Sequence, residues 1–178
     1  MNFEPTERLD MSSPERKRQA YALLGRQWQA LLAGESDPLA NLAQLSALVF
    51  HSVPDLNWAG FYLLRGDTLV LGPFQGKVAC TRIPVGRGVC GACAASRQVQ
   101  IVPDVHAVAD HIACDSASNA ELVLPLLADG RLLGVFDLDS PLHGRFDTID
   151  AQGMGALLEA LVEALVGGSD WQAGTAFG

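Results

Sequence analysis

Glu121-Leu122-Val123-Leu124-Pro125-Leu126-Leu127-Ala128-Asp129-Gly130-Arg131-Leu132-Leu133-Gly134-Val135-Phe136-Asp137-Leu138 is two apolar runs set about an Asp-Gly pair. Asp and Gly tolerate the positive φ that a two-residue hairpin turn requires, so the pair predicts a chain reversal. The flanking runs, Glu121 to Leu127 and Arg131 to Leu138, are apolar enough to read as central antiparallel strands. Upstream lies a second hairpin. Its first arm is the aromatic-rich Asn57-Trp58-Ala59-Gly60-Phe61-Tyr62-Leu63-Leu64, its turn Gly66-Asp67, and its second arm Thr68 to Phe74. Between the hairpins the pattern predicts a strand over 78–83 that carries Cys80, and then a break at Pro84-Val85-Gly86-Arg87-Gly88. A short helix from Val89 to Ser96 and a brief strand from Val99 to Val102 follow. From Pro103 to Asn119 no period survives, and connections of that length in compact domains are usually functional or disordered.

Helical periods bracket these strands. Ser12 or Ser13 precedes Pro14, a residue suited to a first helical turn. Tyr21, Leu24, Trp28, Leu31 and Leu32 then recur at helical spacing until Gly34. Asp37-Pro38 opens a second helix with Leu39, Leu42, Leu45, Leu48 and Val49 on its apolar side. A last helix runs from Thr148 to Val166, with Met154, Leu157, Leu158, Leu161 and Leu165 aligned. The order predicts an α+β domain over 14–166, a central antiparallel sheet flanked by N-terminal and C-terminal helices. Residues 1–13 read as a loose arm and 167–178 as a loose tail.

At 178 residues the chain is long enough to bury a core without cross-links. A formal net charge of -8 disfavours a sequence-independent grip on nucleic acid or on an anionic membrane, because both depend on Lys and Arg. No run of about 18 apolar residues is present to span a bilayer, and the N-terminus lacks a leader pattern, so a cytoplasmic protein is expected. All four cysteines, Cys80, Cys90, Cys93 and Cys114, fall between Lys77 and Asp139, where acidic residues also gather. In a reducing compartment such thiols serve redox chemistry, bind metal or pack in a core. Zinc fits the spacing poorly, since only Cys90 and Cys93 form a close pair.

The motifs themselves narrow the reading. They are Asn57-Trp58-Ala59-Gly60-Phe61-Tyr62, Gly76-Lys77-Val78-Ala79-Cys80, Gly88-Val89-Cys90-Gly91, Asp104-Val105-His106, His111-Ile112-Ala113-Cys114-Asp115, Asp137-Leu138-Asp139-Ser140-Pro141 and Arg145-Phe146-Asp147. In this order the chain resembles a GAF domain, and more narrowly the free methionine-(R)-sulfoxide reductase branch of that fold. The resemblance implies a homodimer that reduces the free amino acid sulfoxide and is recycled by thioredoxin; no metal and no cofactor are expected. Carried over residue by residue, it implies Cys114 as the nucleophile, Cys80 as the thiol that resolves it by disulfide formation, and Cys90 as an auxiliary exchange thiol. Trp58 and Tyr62 would wall the methylthio end, with Glu121, Asp137 and Asp139 holding polar groups of the substrate.

That chemistry agrees with what the residues offer. Thiolate attack on a sulfoxide sulfur yields sulfenic acid and thioether, and a second thiol must then condense with the sulfenic acid. The departing oxygen needs a proton, which a carboxyl raised by burial or by a neighbouring carboxylate supplies; Glu121 and Asp139 are preferred there, with Asp137 at the ammonium or as support. Asp137 and Asp139, two apart on a strand, share one face, whereas Phe61 alternates to the other side from Trp58 and Tyr62. Cys93 has no counterpart in the resemblance and is expected to pack. His106 and His111 are expected behind the site, and His51 and His143 without a role.

Overall fold

A computed structural model of the chain describes residues 8–108 and 117–167. Helix α1 (Pro14–Leu32) starts where Ser13 Oγ accepts the Arg16 N–H at 3.2 Å, and α2 (Pro38–Ser52) where Asp37 caps Ala40 N at 2.8 Å. Both N-terminal caps answer amides that a first helical turn leaves without partners. The strands are β1 (Trp58–Arg65), β2 (Thr68–Gly76), β3 (Arg82–Pro84), β4 (Gln100–Val102), β5 (Ala120–Ala128) and β6 (Arg131–Ser140). Helices α3 (Gly88–Ser96) and α4 (Thr148–Gly167) complete the set. Asp129 at φ 49° and Gly130 at φ 73° make the β5–β6 reversal that the sequence predicts.

The strands form one antiparallel sheet in the order β3-β2-β1-β6-β5-β4, which places the two hairpins side by side with β1 against β6. Alternation then splits the sheet into two faces. Ala59, Phe61 and Leu63 of β1, Leu122 and Leu124 of β5, and Phe136 and Leu138 of β6 face a layer made by α1, α2 and α4. Trp58, Tyr62, Val123 and Val135 face α3 on the other side. The terminal helices therefore lie together on one face. They sit close because α4 carries Gly153, where a Cβ would come 2.2 Å from Cγ of the Tyr21 ring. Fully buried Trp28 donates from Nε1 to the Leu157 carbonyl at 3.0 Å, which joins the same two helices.

Arg145-Phe146-Asp147 supports this layer. Asp150 is buried and accepts from Tyr21 Oη at 2.8 Å, Lys17 Nζ at 2.6 Å and Arg145 Nη1 at 3.3 Å, so the buried charge is paired from α1 and from the preceding loop. Asp147 Oδ1 accepts the Ile149 and Asp150 amides and caps α4. The expected N-terminal arm is in part a packed segment: Leu9 is buried in the core and its amide donates to Ser52 O at 2.8 Å. Among the described residues no helix is long and apolar enough to cross a membrane.

Candidate functional site

The register of the sheet builds the site. On the α3 face Trp58 stands opposite Asp139, and Asp139 opposite Glu121, in one cross-strand row. The next row aligns Gly60, Asp137 and Val123. Residues two apart on a strand share a face, so Tyr62 follows Trp58, and Asp137 lies beside Asp139. Helix α3 closes over the rows and sets Cys90 Sγ 3.9 Å from Glu121 Oε1, while Cys93 Sγ points to the Val123 carbonyl at 3.7 Å. Between them is a small cavity, about 30 Å³, lined by Trp58 and Tyr62 of β1, by Glu121, Asp137 and Asp139 of β5 and β6, and by Cys90 of α3.

Gly60 makes the aromatic wall possible. The Trp58 ring stacks on Phe74 at 5.3 Å and on Tyr62 at 5.8 Å. A Cβ at position 60 would come 2.3 Å from the Phe74 Cβ and 2.8 Å from the Trp58 ring. The polar ends of the two aromatics then reach over the cavity to the segment after β2. Trp58 Nε1 donates to Lys77 O at 3.1 Å and Tyr62 Oη to Cys80 O at 3.0 Å. These bonds hold carbonyls that a continuing strand would have turned to its neighbour. This is why the predicted strand over 78–83 shrinks to Arg82–Pro84 and Cys80 sits on an arch above the site, not on a strand; Val78 in that arch is 89% exposed.

Burial sets the protonation of the acidic wall. Glu121 and Asp137 are each 6% exposed. Desolvation first, and then the charge of Asp139, push the Glu121 carboxyl well above the usual carboxylate range. Desolvation and then Glu121 do the same to Asp137. The Cys90 thiol is likewise pushed up by burial, then by Asp137 and Glu121, and that of Cys93 up to about 12 for the same reasons. Both are free thiols held protonated, poor nucleophiles in this arrangement. Cys80 is in a disulfide. The wall thus offers proton-bearing carboxyls to a polar group in the cavity, beside an aromatic surface suited to an apolar one.

The GAF domain family model matches residues 27–165. Over 149 residues the chain is 56% identical to the free methionine-R-sulfoxide reductase of Escherichia coli, a match that spans 84% of this chain and 90% of that protein. The chain belongs to the free methionine-(R)-sulfoxide reductase family of GAF domains. The Saccharomyces cerevisiae member of this reductase family is 37% identical over 92% of this chain and 96% of its own. The crystal structure of the Neisseria meningitidis member in complex with its substrate superposes with a TM-score of 0.83 at 41% identity, covering 92% of this chain and 96% of that one.

Of the residues that the reductase resemblance singles out, Trp58, Tyr62, Cys90, Glu121, Asp137 and Asp139 meet at one cavity, and Cys80 lies on the arch tied to Tyr62. Cys114 and His111 lie outside the described residues. His106 is exposed and does not line the cavity: its Nε2 bonds Asn119 Oδ1 at 3.0 Å, and the Val105 amide bonds Asn119 O at 2.9 Å. His143, expected to be idle, lies 3.7 Å from Asp104 in the same corner. Sequence reasoning misses Arg87 and Ser118. Arg87 occupies the N-cap of α3 without a capping bond and lines the cavity together with Gly88. Ser118 Oγ accepts from Asn57 Nδ2 at 3.0 Å, next to the row of acids. The Gly86-Arg87-Gly88 break was a signal for the first, whereas nothing local marks Ser118.

Proposed function

We propose that the chain reduces free L-methionine (R)-S-oxide to methionine through the thiol of Cys114. One observation carries the reading: a stacked aromatic pair and three acids line one cavity, beneath the arch that bears Cys80. The substrate's methylthio group would lie on Trp58 and Tyr62, where sulfur over an aromatic ring gains roughly 0.3–1.5 kcal/mol. Its sulfoxide oxygen would accept from protonated Glu121, assisted by Asp139, with Asp137 toward the ammonium. The α-carboxylate would take the first turn of α3, where backbone N–H groups and Arg87 supply positive potential.

Cys114 as thiolate attacks the sulfoxide sulfur. The S–O bond breaks with proton transfer from the acid, the oxygen ends as cysteine sulfenic acid, and methionine leaves reduced by two electrons. Cys80 then displaces water from the sulfenic acid to give a disulfide, which thioredoxin reduces by thiol exchange. The oxidised state of Cys80, beside free Cys90 and Cys93, supports its assignment as resolving thiol. Cys90 in this reading is an auxiliary thiol whose present task is to donate to the acids. We take the working protein to be a homodimer in the cytoplasm, with the domain spanning 14–166.

Cys114→Ser is expected to abolish turnover, and retained activity in that variant would reassign the nucleophile. Cys80→Ser should release one equivalent of methionine per chain and then stall with thioredoxin; sustained recycling would move the resolving role to Cys90 or Cys93.

A further inference from the structure

We infer that Cys90, Glu121 and Asp137 form a binding site for a thiophilic divalent cation, with Zn²⁺ the best match. One ligand atom from each, the thiol sulfur and one oxygen of each carboxyl, lies within 4.8 Å of the other two, and all three residues are buried. They come from three rigid elements, α3, β5 and β6, so their spacing is set by the fold and not by a loop. Tetrahedral zinc with Zn–S about 2.3 Å and Zn–O about 2.0–2.2 Å asks these atoms to draw together by roughly an ångström, within reach of side-chain torsions.

A second observation points to the same ligand. Asp137 Oδ1 is fully buried and has no hydrogen-bond partner. That oxygen has given up water without gaining a donor, and a cation that displaces the carboxyl proton would answer it. One sulfur with two oxygens suits borderline-soft zinc. Magnesium and calcium, which take six or more oxygens, are poorly served by it. Three protein ligands leave a fourth position that opens into the cavity beside Trp58 and Tyr62. The site also differs from a four-thiol zinc centre: Cys93 is turned to the Val123 carbonyl, and Cys80 is in a disulfide while Cys90 is free. Metal binding should therefore persist in the oxidised protein. On the reading given under Proposed function, the ion uses two of the acids that hold substrate and competes with the sulfoxide.

The test is titration of the oxidised full chain with Co²⁺ alone, a spectroscopic substitute for zinc. The expected result is one equivalent bound per chain with a thiolate-to-cobalt charge-transfer band, displaced by Zn²⁺. Cys90→Ser should remove the band and weaken binding at least tenfold, about the minimum loss seen even for outer-shell partners. Glu121→Gln should weaken it similarly, and Cys93→Ser should leave it unchanged. Absence of binding, or a band that survives in Cys90→Ser, overturns the site. With a non-chelating phosphine as reductant, Zn²⁺ should raise the apparent KM for the sulfoxide and leave kcat unchanged; a fall in kcat alone overturns the shared ligands. A chain inactive on sulfoxide that still gives the cobalt band would sink the reductase reading and spare the metal site, and the reverse pattern would do the opposite.

Discussion

Replacing Glu121 with Gln tests the electrostatics of the pocket twice, once through stability and once through rate. In the folded chain burial, with the charge of Asp139 second, raises the Glu121 carboxyl well above its ordinary value. In the unfolded chain it titrates near 4.3. Folded protein therefore binds the extra proton, and its stability falls as pH rises from the unfolded value toward the folded one, by about 1.4 kcal/mol per pH unit. Asp137 is raised in the same direction, first by its own burial, so the two carboxyls together give a slope approaching about 2.7 kcal/mol per unit. Gln has the shape of the protonated acid and no proton to lose. The variant should match its parent near pH 4 and become progressively more stable than it above that, with roughly half the slope. Urea unfolding followed by circular dichroism from about pH 4 to pH 7 measures both curves. Parallel curves would refute the assignment of a raised Glu121. In turnover the same variant loses its acid and should fall by about 10²–10⁴-fold in kcat. A fall of less than threefold would remove Glu121 from proton transfer.

Other substitutions separate the site from its scaffold. Gly60→Ala forces a Cβ to within 2.3 Å of the Phe74 Cβ, so it should cost about 1–3 kcal/mol and raise KM by displacing the Trp58 ring; an unchanged melting temperature and KM would contradict the packing argument. Trp28→Ala, on the opposite face of the sheet, should lower stability by about 3–5 kcal/mol in urea titrations and leave kcat per folded chain unaltered. A proportional loss of kcat there would mean that the two faces are coupled.

Much of the scaffold is legible in the chain because its signals are local. Ser13 before Pro14, Asp37 before Pro38 and the Asp129-Gly130 turn act within a few residues, and the structure uses each of them. The face on which Trp58 and Tyr62 point follows from alternation, since Phe61 is on the other side with Phe136. That Glu121 stands across from Asp139 follows from the β5–β6 hairpin, whereas Trp58 standing across from Asp139 depends on β1 pairing with β6, a long-range fact that periodicity does not carry. The segment from Lys77 to Thr81 misleads because its composition suits a strand, while two side chains of β1 capture its carbonyls. Arg87 and Ser118 escape notice for a related reason: each gains its place from packing against a distant strand or loop.

The most direct measurement of the central claim supplies the protein and a dithiol reductant with each epimer of free methionine sulfoxide separately and quantifies methionine formed. The proposed reaction predicts stoichiometric conversion of the R epimer, with the S epimer left intact. Methionine from neither, or from S in preference to R, would contradict it.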